Sequence, residues 1–242
     1  MHHSDFQMFR FFRSYTSAGS ILIAVVFVAA TACFGQARSD TEISPVSAKA
    51  VPSKPKTIFR DSDGNLISNN EFVDIRMANP SYPDATVVHT LDDGTIEFRL
   101  QKIPQEGEMG RSFSARTLND RPFNTDDLKG KVVVLNFWFI GCPPCMAEIP
   151  KLNDLREKFK TNDDVVFVAL TADNEHAVKR FLAQQKFDYD MITDAGATLD
   201  GFRFKGYPKN IVIGKDGKIV YWRSTIHAWE KFESVIKAEL EK

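Results

Sequence analysis

Cys142-Pro143-Pro144-Cys145 is the stretch of this chain whose residue types and spacing suit covalent chemistry. Two cysteines with two residues between them can close a small disulfide ring and reopen it by exchange with an outside thiol. The thiolate is the reactive form, and an ordinary cysteine with a pKa of about 8.5 is mostly protonated at neutral pH. Pro143 suits the first position of a helix, where its missing N–H costs little, and Pro144 stiffens the ring further. Cys142 then sits at a helix N-terminus, with unpaired N–H groups and the positive dipole end aimed at its sulfur. That effect is about 0.3–2 kcal/mol, and at ~1.36 kcal/mol per pKa unit it lowers the thiol to about 7 at most, short of a strongly acidic thiol. Cys145 falls one turn into the helix, on an apolar stripe with Ile149, Leu152, Leu155 and Phe159, and is the expected resolving thiol. Glu148 shares that side of the helix three residues on. Burial there would raise its pKa and make it a proton acceptor for Cys145, although position alone favours a solvent-facing helix glutamate.

Other chemistry fits less well. A single Cys-x-x-Cys offers two metal ligands where a structural zinc site needs four. Met146 stands where a haem-attachment motif requires histidine. His89 lies on a strand pattern with no second histidine or cysteine nearby, so it reads as a surface or packing side chain. Neither a metal nor a cofactor is expected.

The elements that must position the dithiol can be read from periodicity. Lys131–Ile140 is a nearly continuous apolar run, as in a central strand covered on both faces. It leads straight into the cysteines, which open a helix over residues 143–160. Trp138 at its end reads as core packing beside the site. Residues 165–170 form a second buried strand, and Asp173 is expected to cap a helix reaching about Gln185, with Ala177, Phe181 and Leu182 inward. A short helix over 197–204, a hairpin of 210–213 with 218–222 about Asp216-Gly217, and a final helix over 229–240 complete the pattern. Upstream, 113–118 reads as a strand and Thr125 as the cap of a short turn. The order β-α-β-α-β-β-α predicts an α/β domain over 111–242, a mixed central sheet with helices on both faces.

Residues 57–110 read as a small preceding module, α+β or β-rich, with Asn70 capping a short helix and Asp93-Gly94 turning a hairpin. No chemistry is apparent in it. Residues 36–56 are rich in Ser, Pro, Ala and Lys and read as a flexible linker. Residues 1–35 read as a signal peptide: Arg10 and Arg13 precede the uncharged apolar stretch Ala18–Ala32, which is shorter than the about 20 residues that span a bilayer. An uncleaved anchor is the alternative. Three cysteines leave one over once Cys142 pairs with Cys145, and lipid attachment to Cys33 after Ala30-Thr31-Ala32 would remove the odd thiol. Cleavage after Ala32 or Ala37 competes with it. The formal net charge of −1 gives no electrostatic reason to expect nucleic acid as a partner.

The run Leu128-Lys129-Gly130-Lys131 through Trp138, with Cys142-Pro143-Pro144-Cys145-Met146-Ala147-Glu148-Ile149-Pro150, resembles the thioredoxin superfamily. More narrowly it resembles the exported TlpA/ResA-like thiol–disulfide oxidoreductases of redoxin type, over roughly 112–242. The resemblance implies a thioredoxin-like fold, with Cys142–Cys145 as the redox-active disulfide. It implies that Asn136 takes the place of a buried aspartate in cytoplasmic thioredoxins, that Glu148 is the active-site glutamate and that Pro150 kinks the active-site helix. Tyr207-Pro208 matches the cis-proline loop that faces the dithiol and binds substrate, and Pro208 precedes a strand after an aromatic residue, which fits a cis bond. The residue before the first cysteine is commonly Trp in that group, and Gly141 removes an aromatic wall there. Copper-delivery relatives use a three-residue spacer plus a histidine, so the spacing here argues against copper despite His227.

The expected activity is reduction of disulfides in exported proteins, on the periplasmic side, by a chain tethered through an N-terminal lipid or signal anchor. A membrane redox protein is the expected electron donor. The absence of a histidine between the cysteines leans towards a reductant or isomerase over a strong oxidant. An isomerase, an oxidase, a thiol peroxidase of the same fold, and a non-catalytic binding lipoprotein with a structural disulfide stay open at this point.

Overall fold

The computed structural model describes residues 54–78 and 86–242. The expected signal peptide, Cys33 and most of the linker lie outside the described residues. No helix among the described residues is long and apolar enough to cross a membrane.

The preceding segment builds its own sheet. Strands β1 (Thr57–Arg60) and β2 (Leu66–Ile67) lead into helix α1 (Asn69–Ala78), and β3 (Thr86–Thr90) and β4 (Ile96–Leu100) follow. The order is β2-β1-β4-β3, with β1 and β4 parallel and the other pairs antiparallel. The β3–β4 hairpin turns at Gly94, whose φ of +80° suits glycine, and the Thr95 N–H bonds Asp93 Oδ1 at 2.9 Å. The rings of Phe59, Phe72 and Phe98 lie 4.4–5.8 Å apart and join α1 to this sheet. Ser68 caps α1 by accepting from the Glu71 N–H, in place of the expected Asn70.

The hairpin of β5 (Ser114–Arg116) and β6 (Pro122–Asn124) is followed by a 3-10 turn, Thr125–Leu128, whose cap is Asn124 and not Thr125. Then come β7 (Val132–Phe137), α2 (Pro143–Lys158), β8 (Val165–Leu170), α3 (Glu175–Leu182), β9 (Asp190–Ile192), α4 (Gly196–Gly201), β10 (Lys209–Ile213), β11 (Ile219–Arg223) and α5 (Trp229–Leu240). The sheet order is β11-β10-β7-β8-β9; β7, β8 and β9 are parallel, and β10 runs antiparallel to β7 and β11. Strand β7 is therefore central, as its unbroken apolar run requires.

Alternation along β7 divides the core. Val132 and Val134 pack with Leu152 and Leu155 of α2 and Phe232 and Ile236 of α5. Val133, Leu135 and Phe137 pack on the other face with Leu199, Phe202 and Ala78 of α1. The 57–110 segment and the domain after it thus belong to one compact unit.

Two further readings of the sequence need correction. Strand β9 was not anticipated: at three residues it is too short to show a period, and pairing with β8 creates it. The cap of α3 is Asn174, which accepts from the Ala177 N–H, and the buried residue is Val178. Asp173 instead turns back towards the dithiol loop.

Candidate functional site: a dithiol, a buried glutamate and an asparagine bridge

Strand β7 delivers the chain to the dithiol, and the local bonds explain how α2 begins there. Asp173 accepts the Ile140 N–H at 2.7 Å and the Thr171 hydroxyl at 2.8 Å, which ties the loop after β7 to the end of β8. Gly141 follows at φ +86°, a left-handed conformation that side-chain-bearing residues rarely adopt. A tryptophan there would be strained even though the space around a Cβ is open. The aromatic surface near the dithiol comes from other residues. Phe139, 39% exposed, meets Tyr207 edge-on at 5.2 Å, and Tyr207 meets Phe204 at 4.9 Å.

Cys142 and Cys145 are joined in a disulfide with Cα atoms 5.3 Å apart. Cys142 is the N-cap of α2. Pro143 and Pro144 occupy the first two helical positions and carry no N–H, so the Cys145 N–H is the first that can reach the Cys142 sulfur, at 3.3 Å. The prolines are exposed, and both cysteines are 2% exposed. Exposure alone therefore does not distinguish attacking from resolving thiol; their positions on the helix do.

Glu148 lies one turn beyond Cys145 and is 3% exposed, which removes the solvent-facing reading. Its Oε1 accepts the Ile226 N–H at 2.5 Å and its Oε2 accepts the Asn210 amide at 3.0 Å. Burial is the largest influence and pushes the carboxyl up to about 7, the two hydrogen bonds oppose it, and the nearby Asp74 charge adds to it. A group that titrates near neutrality can take up and return a proton at little cost.

Asn136 on β7 lies opposite Asn210 on β10 in register, and its amide donates to Asn210 Oδ1 at 2.8 Å. Asn210 uses its own two N–H groups on Glu148 and on the Ser224 carbonyl, the latter at 2.8 Å. The two asparagines and the glutamate thus form a buried chain across the sheet. Asn210 and the Ile226 N–H were not singled out from sequence. Neither carries a motif, and only strand register reveals them.

Tyr207-Pro208 is a cis peptide at the start of β10. Trp138 is fully buried and packs with Phe181 and Phe187 at 5.1 and 5.6 Å, as core. Pro150 lies inside α2. His227 holds Asp74 through Nδ1 at 2.6 Å, and His89 is exposed on β3. Cys33 lies outside the described residues.

Residues 105–236 match the Redoxin family. The chain is 38% identical over 118 residues to the thiol-disulfide oxidoreductase ResA of Bacillus cereus, covering 48% of this chain and 68% of that one. Among solved structures it is similar to one assigned to a thiol:disulfide interchange protein DsbE of Chlorobium tepidum. That match has a TM-score of 0.51 at 26% identity and covers 56% of this chain and 97% of the other. A solution structure assigned to a protein disulfide isomerase of Bacteroides thetaiotaomicron gives a TM-score of 0.53 at 26% identity, over 58% of this chain and 92% of the other. With a thioredoxin-like fold and the dithiol at the head of α2, the chain belongs to the Redoxin family, as a TlpA/ResA-like thiol–disulfide oxidoreductase of the thioredoxin superfamily.

Proposed function

We propose that the chain reduces disulfides of exported proteins by dithiol exchange through Cys142 and Cys145. The observation that carries this reading is the pairing of a helix-capping cysteine couple with a buried, protonatable Glu148 one turn further on. In the reduced form, the Cys142 thiolate attacks one sulfur of the substrate disulfide. A mixed disulfide forms, and the first substrate sulfur leaves as a thiolate. Cys145 then gives its proton to the Glu148 carboxylate and attacks the Cys142 sulfur. The Cys142–Cys145 disulfide closes, the second substrate thiolate leaves, and two electrons have passed to the substrate. An external dithiol donor, a membrane redox protein in this reading, must return them. The cis-Pro208 loop and the Phe139–Tyr207 surface are the proposed substrate contacts; the Phe139 carbonyl accepts the Cys142 N–H, and Phe139 meets Tyr207. Export to the periplasmic side and tethering through Cys33 or a signal anchor belong to the same proposal.

Insulin reduction with a chemical dithiol as donor tests it. Cys142→Ser is expected to abolish turnover, and Cys145→Ser to accumulate the mixed disulfide. Full activity in Cys142→Ser would refute the assignment. Thiol trapping in graded glutathione then fixes the potential: a couple that stays oxidised until well below about −300 mV would mark a structural disulfide instead.

A further inference from the structure

Asp74 lies on α1, outside residues 105–236 that match the family, and it is 1% exposed. Its carboxylate accepts the His227 N–H at 2.9 and 3.0 Å and the Ala228 N–H at 2.9 Å. Ala228 is the N-cap of α5 and has no side-chain cap bond of its own, so α1 supplies the capping carboxylate from a distance. The neighbouring N–H, that of Ile226, goes to Glu148. Three consecutive backbone donors therefore serve two buried carboxylates from different elements.

Helix α1 is also held at its other end. Lys209, fully buried beside cis-Pro208, donates to the Ala78 carbonyl at 2.6 Å and to the Ser224 hydroxyl at 3.0 Å; that hydroxyl donates to the Met77 carbonyl at 2.9 Å. Ser224 is the residue whose carbonyl accepts from Asn210. The end of α1 is thus tied to β10, which carries Asn210 of the asparagine bridge, and to Ser224 just beyond β11.

We propose that Asp74 is a positioning residue for the Glu148 carboxyl: it fixes the backbone strip on which Glu148 rests and sets a like charge beside it. This rests on the reading of Glu148 as proton acceptor for Cys145. Burial does most to hold the proton on Glu148, and the Asp74 charge acts in the same direction. The titratable groups around Glu148 are the dithiol on α2, Asp74 on α1, His227 before α5, Tyr189 just before β9 and Tyr221 on β11. The segment ahead of the family domain thereby joins the redox site.

The test is the pH dependence of mixed-disulfide resolution, measured in single turnovers on the full chain. Asp74→Asn is expected to move the midpoint down by roughly one pH unit. Asp74→Glu, which keeps the charge, is expected to restore it, and Asp74→Asn is expected to move nothing further in a Glu148→Gln background. A slower rate at every pH with an unmoved midpoint overturns the proposal and leaves Asp74 a structural cap. If Glu148→Gln itself keeps the wild-type midpoint, the proton-acceptor reading fails and this inference fails with it. Should Asp74→Asn not fold, Asp74→Ser, whose hydroxyl can still accept a backbone N–H, takes its place with the same two outcomes.

Discussion

Replacing Glu148 by glutamine is expected to change how the stability of the oxidised protein depends on pH. Burial holds the Glu148 proton to about pH 7, against an ordinary 4.5, while the Ile226 N–H and the Asn210 amide partly offset that cost. Between those two values the folded chain binds more protons than the unfolded one. Stability is therefore fullest below about pH 4.5, falls as pH rises through 7, and then levels off as far as this group is concerned. At about 1.4 kcal/mol per pH unit the window is worth about 3 kcal/mol. Glutamine cannot ionise and removes this fall. It is not a silent substitute, however. Its carbonyl can still accept from Ile226, but its amide would face the Asn210 amide, whose orientation is fixed by the Ser224 carbonyl and by Asn136. Two donors facing each other cost about 1–2 kcal/mol. The variant is thus expected to be less stable than wild type by about 1–2 kcal/mol at pH 5 and more stable by a similar amount above pH 8. Urea unfolding at constant ionic strength, followed by the fluorescence of buried Trp138 and Trp222, reads this directly. Lys209, pushed down to about 7, adds a pH dependence of its own at higher pH, but it is common to both proteins and cancels in the difference. Stability curves that run parallel from pH 5 to 9 would refute the reasoning, because they would mean that Glu148 does not hold a proton in the folded state.

Asn210→Ala removes the residue that bridges Asn136, Glu148 and the Ser224 carbonyl, and should lower unfolding stability by roughly 2–4 kcal/mol; a midpoint in urea like that of wild type would show that the bridge is dispensable. Gly141→Ala meets no neighbour, so its cost is backbone conformation alone, about 1–2 kcal/mol, and a loss below about 0.5 kcal/mol by urea unfolding would mean the loop relaxes. Lys209→Met leaves the Ala78 carbonyl and the Ser224 hydroxyl without their donor. Burial, followed by the Arg223 charge, depresses the lysine from 10.5 to about 7, so the folded chain has already released this proton when the unfolded chain still holds it. Wild-type stability should therefore rise relative to Lys209→Met between pH 7 and 10.5, and a flat difference would contradict that depression.

The dithiol, its place after a buried strand and at the head of a helix, and the longer strands and helices of the family domain were legible in the chain itself. Each depends on neighbours within a few residues: the apolar run Val132–Phe137, the two prolines that leave Cys145 the first N–H donor, the i+3 step from Cys145 to Glu148. Local spacing could not tell that Glu148 is buried, because the helix face it occupies is covered by β10 and by the Ile226–Ala228 strip, distant in sequence. It missed Asn210, which acquires its role by lying opposite Asn136 in antiparallel register. It missed β9, a strand made only by pairing, and it gave Asp173 a cap in place of its bond to the dithiol loop. The chemistry of Asp74 was invisible for the same reason. An aspartate in mid-helix carries no local signal, and its meaning comes from the two backbone N–H groups, those of His227 and Ala228, that it meets only after docking, some 150 residues further along the chain. Sequence periodicity reports which face of an element is apolar, whereas the partner of a buried polar group is chosen by register and docking, which exist only in three dimensions.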